Sequence, residues 1–139
     1  MPLLNLLRAP RLYAVDNIMY WARDISDFLD RRTGQLILPY DVLLMQNGLN
    51  SDVPVPPSTL LEISGPSGAF QIGGLAGGVL GRLIIIVNTT GQAMKINNMD
   101  AGSQLDNQIN TEAGATVNAT AALLVHGAVG QRWLLVAYT

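Results

Sequence analysis

Val79-Leu-Gly-Arg-Leu-Ile-Ile-Ile-Val-Asn-Thr-Thr-Gly91 carries a run of aliphatic and β-branched residues into a cluster of Asn, Thr and Gly. Branched side chains suit a pleated strand, and Asn88 to Gly91 supplies residues that tolerate a tight turn, so the stretch reads as a strand followed by a turn. Downstream come Gln92 to Ile96, a polar stretch from Asn97 to Asn110, then Ala115 to Asn118, Ala121 to His126 and Gln131 to Tyr138, each bounded by Gly, Asn or Asp. Short strands at about ten-residue spacing point to a sandwich or barrel rather than to βαβ units.

Composition bounds what such a chain does. Its 139 residues suit one domain with an appended arm, and 49% are hydrophobic against only 13% charged. Charged residues usually make up about a quarter of a soluble domain, so some apolar surface is expected to be covered by other chains. In Gln131 to Tyr138 both alternating sets, Trp133, Leu135 and Ala137 against Arg132, Leu134, Val136 and Tyr138, are largely apolar, so this strand is expected to be covered on both faces.

A net charge of −2 with Lys95 as the one lysine leaves no basic stripe for a phosphate backbone, and nucleic acid is not an expected partner. No apolar run approaches the roughly twenty residues of a membrane span, and the leucines at 3, 4, 6 and 7 are too few for a signal-peptide core, so no membrane association is expected. Without cysteine, neither disulfides nor thiolate metal sites form.

Character changes near residue 50, with arginine and aspartate frequent before it and glycine common after it. Asp16 is a plausible N-cap and Gly34 a plausible C′ residue for a helix over Ile18 to Arg32, whose Ile18, Trp21, Ala22, Ile25, Phe28 and Leu29 form one apolar stripe. That stripe would pack on the β-domain or on the same helix in neighbouring copies. Upstream, Pro10 disfavours helix at Ala9, so Met1 to Tyr13 reads as an extended arm rich in leucine. The expected division is an arm and helix over 1–45 that attach the protein, a proline-rich linker over 46–58, and a β-domain over 59–139. Pro54, Pro56 and Pro57 lack the flanking basic residue of an SH3 ligand, which favours the linker reading.

Few residues invite chemistry. Gly73 to Gly81 is glycine-rich, but Gly78 is followed by Val79 rather than the Lys-Ser/Thr of a phosphate loop, so it reads as a turn between strands. His126 is the one histidine and ends an apolar run, where an ordinary hydrogen-bonded role outweighs that of base or metal ligand. Asp100, Asp106 and Glu112 could serve as paired glycosidase carboxylates, yet they fall among Gly and Asn, where acidic side chains serve turns. The expectation is a non-enzymatic protein with no cofactor, no metal and no catalytic residue.

Gly81, Arg82, Ile84, Ile86, Asn88 and Gly91, the polar turn region from Asp100 to Asn110, and Arg132-Trp133 together resemble a pattern of small virion proteins of tailed bacteriophages, over about residues 68–139. The resemblance implies a mainly β fold, an antiparallel β-sandwich or jelly roll with an N-terminal arm and one short amphipathic helix. It also implies a capsid decoration or cement protein or a head fibre, located in the virion after assembly in the host cytoplasm. Expected partners are the major capsid protein or another virion protein, together with further copies of the chain as a dimer or trimer. Leu3, Leu4, Leu6, Leu7 and Leu12 would dock on neighbours, Arg8 and Arg11 would pair with carboxylates, and Trp21, Ile25 and Phe28 would pack in the attachment segment. The alternative is a short fibre or tail-fibre tip whose loops, Gly73 to Gly81 or Asp100 to Asn110, recognise a host receptor.

Overall fold

Apolar side chains at alternate positions build the strands of the computed structural model, which describes Arg23, residues 37–127 and residues 130–139. Leu60–Ser64 buries Leu61 and Ile63, Leu83–Val87 buries Ile84 and Ile86, and Ala121–His126 buries Ala122, Leu124 and His126. This is the two-residue period of a pleated strand. The chain divides into units Met1–Ile37 and Leu38–Thr139. The second unit is mainly β.

Its strands stack as coils of a β-solenoid. The first coil comprises β1 (Tyr40–Leu44), β2 (Gly48–Asn50) and β3 (Val53–Pro54). The second comprises β4 (Leu60–Ser64), β5 (Phe70–Ile72) and β6 (Leu75–Ala76), and the third opens with β7 (Leu83–Val87) and β8 (Met94–Ile96). β1, β4 and β7 pair in parallel, as do β2, β5 and β8, and as do β3 and β6. Tyr40 faces Leu60 and Leu60 faces Ile85, so each coil takes 20 to 25 residues. Parallel neighbours need a long crossover, and here the other two sheets of the same coil supply it instead of a helix.

The expected antiparallel sandwich or jelly roll is therefore corrected to a solenoid, and antiparallel pairing is confined to its C-terminal end. The third coil runs on through a 3-10 turn at Leu105–Asn107 to β9 (Ile109–Asn110), after which the chain reverses. β10 (Val117–Ala119) runs antiparallel to β8, and β11 (Ala121–His126) antiparallel to β7. β12 (Trp133–Tyr138) then pairs antiparallel with β11 and parallel with β9, closing a six-stranded sheet in the order β1-β4-β7-β11-β12-β9.

Register stacks like on like inside the coils. Phe70, Met94 and Ala119 form one buried row, Ile72, Ile96 and Val117 another, and Leu61, Ile86 and Ala122 a third. Because side chains alternate between faces, a one-residue slip would expel all three rows to the surface, which pins the register. Asparagines hold the corners. Asn47 Oδ1 accepts the amides of Ser67 and Gly68 from the coil beneath at 2.8 and 3.0 Å, and Asn88 Nδ2 donates to the Gln92 carbonyl at 2.7 Å.

β1, β2 and β3 each stand at the end of their sheet. Among the described residues no further strand pairs with them, and blunting devices occur there: the Val42 amide donates to Asp41 Oδ1 at 2.7 Å, the Gln46 amide in the turn between β1 and β2 donates to Asn50 Oδ1 at 2.8 Å, and Pro54 has no amide hydrogen.

The segment 46–58, expected as a linker, contains β2 and β3 and belongs to the first coil. Its proline reading failed because Pro54 occupies an edge strand, the one strand position that a residue without an amide hydrogen fills at no cost in pairing. The end of the expected 1–45 attachment segment is likewise corrected, since Tyr40–Leu44 forms β1 and the β unit begins at Leu38 rather than at 59. Of residues 1–36 only Arg23 is described, and it is helical.

Candidate interaction surface

The outward face of the six-stranded sheet is apolar as well as its inward face. Tyr40, Leu60, Ile85, Leu123 and Ala137 form one continuous row across β1, β4, β7, β11 and β12. A second row joins Leu83, Val125 and Leu134. None of these eight is buried by the coil, and Tyr40 is 56% exposed. Leu44, at 72% exposure, extends the face at the β1 end.

The carboxylate on this face, Glu62, is held by its neighbours: Tyr40 donates its phenol hydrogen to Oε2, and Thr89 Oγ1 donates to Oε1 at 2.6 Å. The Thr89 bond first, and then the Tyr40 bond, hold the Glu62 carboxyl below its ordinary pKa, while the same bond pushes the Tyr40 phenol up. At the opposite side the small Ala121 and Ala137 leave a hollow of about 230 Å³, also lined by Ile85, Leu123 and Tyr138.

The outward face of the second sheet differs. Leu49, Gln71, Lys95 and Asn118 stack across β2, β5, β8 and β10, a largely polar ladder.

His126 is 5% exposed and lies in the fold's interior. Its Nε2–H donates to the Asp106 carbonyl at 3.0 Å, its ring meets Trp133 edge-on with centroids 5.1 Å apart, and its Nδ1 finds no hydrogen-bond partner among the described residues. Gly78, from the glycine-rich segment, packs directly on this ring, where an added Cβ would lie 2.0 Å from Cδ2. That glycine thus makes room for a core histidine. Arg82 ties the same region together by donating to the carbonyls of Gly77 and Pro56.

Of the three acids only Asp100 serves a turn through its side chain, and the other two lie in turns by their backbone. Asp100 Oδ2 accepts the Gly102 amide at 3.2 Å, Asp106 sits in the 3-10 turn, and Glu112 adopts a φ of 55° with its amide donating to Asn110 Oδ1. Among the described residues no group of three His, Cys, Asp or Glu is gathered as a metal site, and no helix is long and apolar enough to cross a membrane. Leu3, Leu4, Leu6, Leu7, Arg8, Arg11, Leu12, Trp21, Ile25 and Phe28 lie outside the described residues.

Ser103 is 7% exposed and its Oγ has no hydrogen-bond partner among the described residues. A buried hydroxyl without a hydrogen bond is a net cost, so Ser103→Ala is expected to raise stability by about 1 kcal/mol. A shift of the urea midpoint to lower concentration would contradict this.

Tyr40, Leu60, Glu62 and Leu123 were not singled out in the sequence as site residues. The available signal was the unbroken run Leu83 to Val87, in which the outward Leu83, Ile85 and Val87 are as apolar as the inward pair. The chain matches no protein-family model, no curated protein and no solved structure, so its surfaces are interpreted from their own geometry.

Proposed function

We propose that the protein is a non-enzymatic virion structural protein that decorates or cements the capsid, with the major capsid protein or another virion protein as its partner and with further copies of itself beside it. The observation that carries this reading is the outer face of the six-stranded sheet, with eight apolar residues in two rows and one carboxylate already satisfied from within. Monomeric soluble proteins rarely expose a continuous apolar patch of this kind, and such patches mark contact with other chains. The solenoid adds a rigid support, since every row is locked by the coil beneath it. The N-terminal arm would anchor the protein through its leucines and arginines.

Deleting residues 1–13 is expected to reduce occupancy on purified particles at least tenfold, measured by quantitative mass spectrometry of the virion. Undiminished occupancy would remove the arm from the attachment role. A second reading, a short fibre or fibre tip that binds a host receptor, is favoured by the Gln71, Lys95 and Asn118 ladder, whose evenly spaced polar groups suit a repeating polar ligand such as a glycan. Binding of the purified protein to host cells would favour this reading over decoration.

A further inference from the structure

The row Tyr40, Leu60, Ile85, Leu123 and Ala137 spans five strands with β7 at its centre, and it is uneven from end to end. Its β1 end is bulky, with Tyr40 56% and Leu44 72% exposed, whereas its β11–β12 end is hollowed at Ala121 and Ala137. We propose that this face is the contact between two copies of the chain, related by a two-fold axis that lies in the interface along β7.

That axis sends each strand to the mirror position in the order while preserving its direction. Tyr40 of one copy then lies over Ala137 of the second, Leu60 over Leu123, and Ile85 over Ile85. The bulky end of each face fills the hollow of the other, the self-complementarity that a two-fold contact requires. The orthogonal axis, also in the interface, would set bulky β1 on bulky β1 and leave both hollows empty.

Charge agrees with this occupant. A partner recognising Glu62 would need a cation, but Tyr40 and Thr89 already satisfy both carboxylate oxygens. In the two-fold arrangement Glu62 meets Ala121 rather than the other Glu62, because both lie in the row Val42, Glu62, Val87 and Ala121 on strands flanking β7. Five strands about 4.8 Å apart and five residues at about 3.3 Å rise give a face of roughly 24 Å by 17 Å. Two such faces amount to roughly 800 Å² in flat projection, and side-chain relief together with the exposed Leu44 beyond them brings this towards the roughly 1,000 Å² that a specific interface needs.

This contact deepens the proposed function by naming the surface through which copies associate, and it rests on reading the apolar face as reserved for other chains. Sedimentation equilibrium of the full chain is expected to give a dimer, and Ile85→Asp, which sets two carboxylates against each other on the axis, to halve the mass with an unchanged far-UV circular dichroism spectrum. Leu49→Asp, on the outward face of the other sheet, should remain dimeric. A wild-type monomer or trimer, or a folded Ile85→Asp dimer, would overturn the proposal.

Cross-linking tests it even if Ile85→Asp fails to fold, because the chain has no cysteine. Packed sheets lie about 10 Å apart, too far for a disulfide, so a short bismaleimide is the probe. Ile85→Cys should cross-link to a dimer, as should Tyr40→Cys mixed with Ala137→Cys, whereas Tyr40→Cys alone should not. Efficient linking of Tyr40→Cys alone would refute the axis. A chain that dimerises in this way but never joins particles would sink the virion reading and leave the contact standing; a monomer found at full occupancy on particles would do the reverse.

Discussion

Trp133→Ala is expected to lower the stability of the protein by about 4 kcal/mol, the usual range for removing a buried aromatic side chain. Trp133 is fully buried, its Nε1–H donates to the Leu75 carbonyl at 2.8 Å, and its ring receives the edge of His126. The substitution leaves a cavity and also strips a buried carbonyl of its donor. It further loosens the junction of β12 with β9, where Trp133 faces Ile109. For a domain whose total stability is about 5–15 kcal/mol, this is a large share. Urea denaturation followed by circular dichroism gives the value, and Trp133→Phe, which keeps most of the volume but loses the donor, should cost clearly less. A loss under about 1 kcal/mol for Trp133→Ala would show that this residue is not the centre of the C-terminal core.

Gly65→Ala is expected to cost about 3 kcal/mol, from an unfavourable backbone conformation and from a collision between coils. Gly65 follows β4 with a φ of +111°, and a Cβ built there lies 2.2 Å from the carbonyl oxygen of Met45 in the first coil. The colliding atom is backbone, so no side chain can swing aside. Meanwhile the Met45 amide donates to Ser64 at 2.9 Å and holds the two coils at this distance. Gly91→Ala makes the control: its φ is +75° but nothing lies within 4 Å of the added carbon, so only the conformational cost of about 1 kcal/mol remains. Equal losses for the two variants in thermal or urea denaturation would mean that the close approach of the coils contributes nothing.

Much of the local structure was legible in the chain, and its assembly was not. The strand at Leu83–Val87, the turn after it, the strands ending in His126 and beginning at Trp133, and the turn role of Asp100 all follow from alternation and turn chemistry. Parallel stacking left a weaker trace. β5 and β8 present the apolar-polar-apolar patterns Phe70-Gln-Ile72 and Met94-Lys-Ile96 that pair in register, but the spacing between coils varies from 20 to 25 residues. A repeat whose period drifts in this way resembles the irregular spacing of a sandwich. β2 and β3 were hidden for a different reason: their stability comes from neighbours 20 or more residues away, through Asn47 with Ser67 and Val53 with Leu75, while their own sequence shows only turn and proline signals.

The outer face was half legible. Both alternating sets of β12 are apolar, yet the coil buries only Trp133 and Leu135; the pairing register shifts between Leu123 and Leu124, so Ala137 joins the outward Leu123, and Val136 and Tyr138 stand 50% and 47% exposed. The unbroken run Leu83 to Val87 held the same message on β7. What no local pattern could convey is that Tyr40 and Leu60, from two earlier coils, complete a single row with Ile85.

The blunted edge of the first coil has a consequence for growth. A strand added there by another molecule would look for amide donors, and it would find those of Val42 and Gln46 already engaged and that of Pro54 missing. Extension along the solenoid axis, which would generate an open-ended filament, is thereby opposed at its starting point. The proposed contact through the sheet face about a two-fold axis would close on itself instead, giving a particle of fixed stoichiometry rather than a fibril of indefinite length.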